Sequence, residues 1–395
     1  MSSPQVKTTK SKSATPQVPE EIRKAAGLLI DRLPGQHEAV FAAIDGVVHE
    51  EPVLFKGPPG TGKTLLITYL AEMLDMMVHI IQMTKYSTDA EVLGMWDIKA
   101  LQEGKLVRNW SNIVRADMLF LDEVFDAPSF LLRALHGILN ERVVYDPYTG
   151  QAVPIKASVI YAASNYIPTT PELQAVVDRF PVKVEVNYVP PNVYKDAILV
   201  SIDGQKPPRG LIKRQVIEEL RRRAMEYARS DDFLAEYITI AQSLAGLREF
   251  GAVISDRTLF AKLPKIIAST MVLLNCPPSI KGCTMYTAFL IMPWIVNVNT
   301  LQLPDKQVQP QNPVQKASMN VKDALALPKA EFMLIVSNFK DILRDEIMVM
   351  AGKKPSLLAF EHALDSLEDV LKMRKWYSPI LETLEWRLEY LRSVS

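Results

Sequence analysis

The sequence predicts an α/β fold, a mostly parallel sheet with flanking helices, followed by an all-helical region. Three observations predict it. Short apolar runs at Val53–Phe55, Val78–Met83, Met118–Leu121, Val159–Ala163 and Val182–Val186 read as strands. They alternate with helical stretches at Thr64–Leu74, Ser129–Asn140 and Pro171–Asp178, the pattern of a parallel sheet covered on both faces. Strand signals stop after about Pro191, and Ile212–Arg229, Asp232–Leu244 and Asp256–Leu274 then carry apolar residues at helical spacing.

Ahead of the first strand, a helix begins near Glu20 with Ile22, Ala25, Leu28 and Leu29 as candidate core positions. A turn at Leu33-Pro34-Gly35 leads into a second helix over about Gln36–Val48. Near the far end, Leu303–Pro313 is polar and rich in Pro and Gln, so it reads as a linker. Lys329–Met350, Leu357–Met373 and Tyr377–Ser393 read as helices. The expected division is a tail over 1–19, an α/β domain over 20–191, a helical domain over 192–300, a linker or exposed loop over 301–325 and a helical region over 326–395.

Composition bounds the function classes. The chain has 395 residues with Lys+Arg 45 and Asp+Glu 45, so its formal net charge is zero. That balance offers no basic surface for nucleic acid or an anionic membrane. An apolar content of 48% excludes a largely disordered chain. The stretch Met1–Pro19 lacks an apolar segment and reads as a disordered tail. The longest apolar run, around Ala288–Val296, contains Pro293 and is too short to span a bilayer, so it reads as a buried helix in a soluble, cytoplasmic protein. Cys276 and Cys283 fit no common metal spacing and are read as free thiols in a reducing compartment.

The densest chemistry lies in Gly57-Pro58-Pro59-Gly60-Thr61-Gly62-Lys63-Thr64, which fits G-x-x-x-x-G-K-S/T between a strand and a helix. Glycines let backbone N–H groups turn inward around phosphate oxygens, and the helix N-terminus adds a favourable dipole. Lys63 is expected on the β- and γ-phosphates of ATP and the Thr64 hydroxyl on Mg2+. A second element, Met118-Leu119-Phe120-Leu121-Asp122-Glu123, ends a strand in two acids. Asp122 is read as a magnesium ligand and Glu123 as the group that orients and polarises the attacking water, against the alternative of a solvated acidic turn.

Three more positions complete the set. Asn165 ends the strand Tyr161-Ala162-Ala163-Ser164 and is read as facing the γ-phosphate, provided that strand lies between the other two; the alternative is an Asn opening a turn. Arg179, in Val177-Asp178-Arg179-Phe180, is read as an arginine supplied to a neighbour's nucleotide, the alternative being an internal pair with Asp178. Arg257, in Ile254-Ser255-Asp256-Arg257, is read as reaching the nucleotide from the helical domain. Its alternative is a surface Arg on a capped helix, since Ser255 and Asp256 are good cap residues.

These five elements, in this order, resemble those of AAA+ ATPases. The stretches FLDEVFDAPSFLLRALHGILNER, AASNYIPTTPELQAVVDRF and ISDRTLFAKL resemble the MoxR branch, and within it the RavA-like proteins, over about Arg32–Leu274. The resemblance implies a P-loop AAA+ sheet with an all-α lid. It implies that Pro34, Gly35 and Gln36 line the adenine site, with Asn165 as sensor 1, Arg179 as arginine finger and Arg257 as sensor 2. It also implies a hexameric ring and a partner carrying a von Willebrand factor A domain. Two insertions fit the branch: Ser87–Val107, and a hairpin over Val143–Pro154, which in the family face the ring axis or a partner; the alternative is passive loops.

The leading expectation is a chaperone-like remodelling ATPase. The alternatives are a nucleic-acid motor, disfavoured by the neutral charge, and a scaffold locked by ATP. The run Arg221-Arg222-Arg223 reads as a solvated helix face. The apolar faces of the last helices, Leu357 to Leu371 and Ile380 to Leu391, must be buried somewhere: in an assembly or partner interface, or on their own subunit.

Overall fold

A computed structural model describes residues 18–146, 148–296, 301–302, 329–372 and 378–394. Most of the expected tail and the Leu303–Pro313 linker lie outside the described residues. Among the described residues nine strands form: β1 (Val53–Lys56), β2 (Val78–Gln82), β3 (Gly94–Trp96), β4 (Arg108–Trp110), β5 (Met118–Asp122), β6 (Val143–Tyr145), β7 (Ala152–Pro154), β8 (Val159–Ser164) and β9 (Val182–Glu185). Five of them make one parallel sheet in the order β2-β5-β8-β1-β9. The strand ending at Asn165 therefore lies between the strand feeding the phosphate loop and the strand carrying the acids.

Strand side chains alternate between two cores, as the period of a strand requires. Phe55, Phe120 and Tyr161 face one core with helices His37–His49 and Lys63–Leu74 and the helical region. Leu54, Leu119, Leu121, Ile160 and Ala162 face the other with Ser129–Glu141, Val176, Val177 and Phe180. Burial on both faces explains why the strands read as continuous apolar runs.

Both insertions are antiparallel hairpins, β3 with β4 and β6 with β7. Buried Arg108 joins them. Its Nε donates to Asp146 Oδ2 at 2.6 Å, its Nη2 to Asp89 Oδ2 at 2.9 Å, and its guanidinium lies 4.2 Å from the Trp96 ring centre. The expected single helix Asp256–Leu274 is interrupted by a widened turn over Thr258–Lys262 before helix Leu263–Leu273. Pro264 supplies no N–H to the regular ladder, and a widened turn accommodates that gap.

Two expectations are corrected. Cys276 and Cys283 are not free thiols but a disulfide, with Cα atoms 5.8 Å apart, within bridging range. The chain folds back between them, a return that spacing alone does not reveal. The arginine run is not a uniformly solvated face. Arg222 pairs with Glu219 and Glu226 at the surface, but Arg221 donates to Val47 O at 2.8 Å and pairs with Glu50, and Arg223 is buried.

For the last helices, Lys329–Met350, Leu358–Lys372 and Ser378–Val394, one of the two alternatives is met. Much of their apolar surface is covered within the chain: Phe339, Phe360, Leu367, Ile380, Leu384 and Leu391 are buried in the same core as helix Cys283–Ile295, while Leu358 is 72% exposed. Arg387 fixes the arrangement. Its Nε donates to Glu346 Oε1 at 2.7 Å and its Nη2 donates to Glu346 Oε2 and to Leu274 O at 2.9 Å. Tyr286 OH donates to the same Glu346 at 2.6 Å. Of the two alternatives, packing on their own subunit accounts for these buried residues.

Two outcomes are expected. Removing one partner of a buried pair strands the other charge, at roughly 3–5 kcal/mol. Arg387→Ala should therefore destabilise the whole chain, read as a lower denaturant midpoint, and a midpoint within error of wild type would contradict the pairing. The second concerns Asp45. It is buried, its Oδ2 accepts from Thr270 at 2.7 Å, and burial pushes its carboxyl up to about 7. Between the unfolded and folded values the native state holds a proton that the unfolded chain has lost, so stability falls as pH rises toward 7 at up to ~1.4 kcal/mol per unit. Asp45→Asn should then raise the Tm relative to wild type more at about pH 8 than at about pH 5; an equal difference at both would contradict it.

Candidate active site

The phosphate loop leaves β1 and enters helix Lys63–Leu74. Two glycines are dictated by geometry. Gly62 has φ +86°, the left-handed region that a side chain resists. A Cβ on Gly57 would lie 1.9 Å from Val186 O, so only glycine lets the loop pass the end of β9. Lys63 is buried, and its Nζ donates to Gly57 O at 2.7 Å and Pro58 O at 2.9 Å. Burial lowers its pKa, while Glu123 and Asp122 act in the opposite sense. The lysine thus lies across the loop, within the field of both acids.

The two motifs meet directly. Thr64 Oγ1 donates to Asp122 Oδ2 at 3.3 Å, and the Glu123 backbone N–H donates to Asp122 Oδ1 at 3.1 Å. Glu123 adopts a left-handed backbone at φ 51°, which turns it off the strand axis. Its Oε1 accepts from Asn165 Nδ2 at 2.9 Å, while its Oε2 is buried without a hydrogen-bond partner. Burial raises its pKa, helped by Asp122 and Asp126 and opposed by Lys63 and Asn165. The structure therefore brings Lys63, Thr64, Asp122, Glu123 and Asn165 together. Asn165 is held by Glu123, a partner that the sequence reading did not assign. That reading also missed Tyr166, whose hydroxyl donates to Asp126 Oδ1 at 3.2 Å.

The turn before the first core helix sits beside the end of β9. Gln36 Nε2 donates to Asn187 O at 2.6 Å, and Gly35, at φ +81°, packs against Pro190. Arg179 and Arg257 form a separate corner. Asp178 Oδ1 accepts from the Ser255 backbone N–H at 3.1 Å and from Thr258 Oγ1 at 3.4 Å, and Lys262 Nζ donates to Arg179 O at 3.1 Å. Ser255 also caps its own turn through Thr258 N at 3.1 Å. The Arg179 pKa is lowered by burial, raised by Asp178 and lowered by Arg257, so the two arginines share one field. This docking places Arg257 within the field of Arg179.

The comparisons cover this region. A family model described as the MoxR domain in the MoxR-vWA-beta-propeller ternary systems matches residues 21–220. Two uncharacterised proteins of Methanocaldococcus jannaschii are similar: one is 30% identical over 195 residues, 48% of this chain and 50% of the relative. The other is 29% identical over 194 residues, 48% of this chain and 51% of the relative. An uncharacterised protein of Staphylococcus aureus is 30% identical over 173 residues, 41% of this chain and 65% of that protein. The chain thus spans about half the length of the archaeal relatives it matches. A solved structure of a candidate ATPase from Cytophaga hutchinsonii shares the fold, with a TM-score of 0.54 at 18% identity, over 77% of this chain and 93% of that one. The family match takes in the phosphate loop, the acid pair and the Asn165 strand, on the five-stranded parallel sheet they require; the chain belongs to the MoxR family of AAA+ ATPases.

Proposed function

We propose that this chain is a magnesium-dependent ATPase that works at the subunit interfaces of a ring, and that the ring remodels or activates a protein complex with a von Willebrand factor A domain partner. One observation carries the catalytic part: Thr64 is bonded to Asp122 and Asn165 to Glu123, while Glu123 Oε2 is buried with no partner. A buried carboxylate oxygen without a donor is costly, and a water molecule positioned for attack would satisfy it. The family description, which names vWA systems, supports the partner. The remodelling role and the RavA-like placement rest on the sequence resemblance.

The residues present fit the nucleotide and its metal. The loop amides of Gly57–Thr64 and the Lys63 ammonium would hold the phosphates. The Thr64 hydroxyl and Asp122 would hold magnesium, which would supply positive charge to offset that of the phosphates. Gly35 and Gln36 would meet the adenine side. Glu123 Oε2 would take the proton of the attacking water. Asn165 fixes the Glu123 carboxylate through Oε1, leaving Oε2 for that task. Arg179 would serve the nucleotide of an adjacent copy by offsetting charge on the transferred phosphoryl group, and Arg257 would reach the nucleotide from the helical domain.

Glu123→Gln should bind ATP yet hydrolyse it about 10²–10⁴-fold more slowly, because an amide accepts no proton. The raised Glu123 pKa sets the pH dependence. Activity of the wild type should fall as pH drops through a value above the usual ~4.3 of a glutamate. Near-normal turnover by the variant would assign the base elsewhere. Held in ATP, the same variant should retain a vWA protein on affinity purification, and consistent recovery of other proteins without one would contradict the partner.

The interface role is tested by mixing. Arg179→Ala subunits keep the pocket, and Lys63→Ala subunits keep the corner. Mixed assemblies should regain activity where an intact pocket meets an intact Arg179. No recovery in assemblies shown to be mixed would contradict action in trans.

A further inference from the structure

Asn165 and Glu123 are joined by more than their own hydrogen bond. Tyr166, the residue after Asn165, crosses back to the turn that follows Glu123. Its hydroxyl lies 3.2 Å from Asp126 Oδ1 and 3.3 Å from Phe125 O and offers its proton to both. Asp126 N in turn donates to Glu123 O at 2.9 Å, closing the short turn Val124–Asp126. On the other side, Tyr166 N donates to Ser164 Oγ at 3.3 Å, and Asn165 Nδ2 donates to Glu123 Oε1 at 2.9 Å. These contacts close a circuit. Glu123 is bonded to Asp126 through the backbone, Asp126 to Tyr166 through side chains, Tyr166 to Asn165 through the peptide link, and Asn165 to the Glu123 carboxylate.

The circuit is anchored on one side only. Phe125 is buried, and its ring lies 6.4 Å from the Tyr166 ring and edge-on to Phe180 at 6.3 Å. The groups that receive the Tyr166 hydroxyl therefore stand on the core. Asn165 and Tyr166 are exposed, just past the end of β8. Glu123 itself holds a left-handed backbone at φ 51°, a conformation that persists only where its surroundings enforce it. Without the Tyr166 hydroxyl, the Asn165 amide would be held to Glu123 by a single bond between side chains that water reaches. With it, each bond keeps the partners of the other in place.

We propose that Tyr166 is a positioning residue for ATP hydrolysis: bonded to the Asp126 turn, it keeps the Asn165 amide on Glu123 Oε1 and so leaves Oε2 to the attacking water. The inference rests on the reading of Glu123 as the base. Tyr166 acts through Asn165 and Glu123, while the loop amides and Lys63 would hold the phosphates, so its loss touches turnover and not binding.

The test is Tyr166→Phe in the full chain, with kcat and KM for ATP measured separately. The ring is kept and Tyr166 is 44% exposed, so the variant should fold. The expected result is a kcat about 3–10-fold lower, the worth of one hydrogen bond, with KM unchanged. Asp126→Ala should lose as much, and the double variant no more than either single one. Asp126→Asn removes the same charge as Asp126→Ala but keeps an acceptor for the hydroxyl, so it should recover part of the loss. In a Glu123→Gln background, Tyr166→Phe should lower the residual turnover no further. A wild-type kcat in Tyr166→Phe, a change confined to KM, or losses that multiply in the double variant would overturn the proposal while a slow Glu123→Gln leaves the base reading standing. Near-normal turnover by Glu123→Gln would remove the base reading and this proposal with it.

Discussion

One constraint governs the site: five parallel strands end at the same edge of one sheet, and β8 lies between β1 and β5. Parallel strands bring their carboxyl ends to one side, where ligands meet loops and helix N-termini. Here that edge carries the phosphate loop after β1, Asp122 and Glu123 at the end of β5, and Asn165 after β8. The 3.3 Å bond from Thr64 to Asp122 and the 2.9 Å bond from Asn165 to Glu123 follow from that order. Had β8 occupied the sheet edge, Asn165 would be two strand spacings from the loop, roughly 10 Å, and beyond reach of Glu123.

The constraint also explains what was legible in the sequence. Strands buried on both faces read as apolar runs, and the phosphate loop is local chemistry at fixed spacing, so the sheet, its helices and five site residues could be read in advance. The docking of the segment that carries Arg257 could not. It follows from a backbone N–H of Ser255 finding Asp178, a contact across 77 residues of chain that no local pattern encodes. The Cys276–Cys283 bridge was hidden for a similar reason, since the return of the chain between the two residues is set by tertiary packing. Helix Tyr194–Asp203 was missed because reading for a buried face assumes that one exists, and this helix has none in its own chain.

The helical regions are a continuation of the core and not appendages. Helix His37–His49, buried along nearly its whole length, packs between the sheet and the helices that follow. Arg387 then ties the last helix to Glu346 and to the carbonyls at Leu274 and Asn275. A buried ion pair of this kind adds little net stability over an apolar substitute, but it penalises every arrangement that separates the partners. The Gly35–Gln36 turn begins this same helix, and Lys340 of the C-terminal region pairs with Glu38 at 3.5 Å. Movement of the C-terminal helices would therefore be felt at the Gly35–Gln36 turn.

The central claim is the proposal that Arg179 serves an adjacent copy, so that each pocket is chemically incomplete in one chain; Arg179 precedes β9, whose Val182 pairs with Val53 at the start of β1, while Lys63 follows the end of β1. The most direct measurement is ATP turnover per chain as a function of protein concentration, with assembly followed in the same samples. The account predicts that turnover per chain rises with concentration in step with assembly and reaches a plateau when assembly is complete. Turnover per chain that is constant from fully monomeric to fully assembled protein would contradict it.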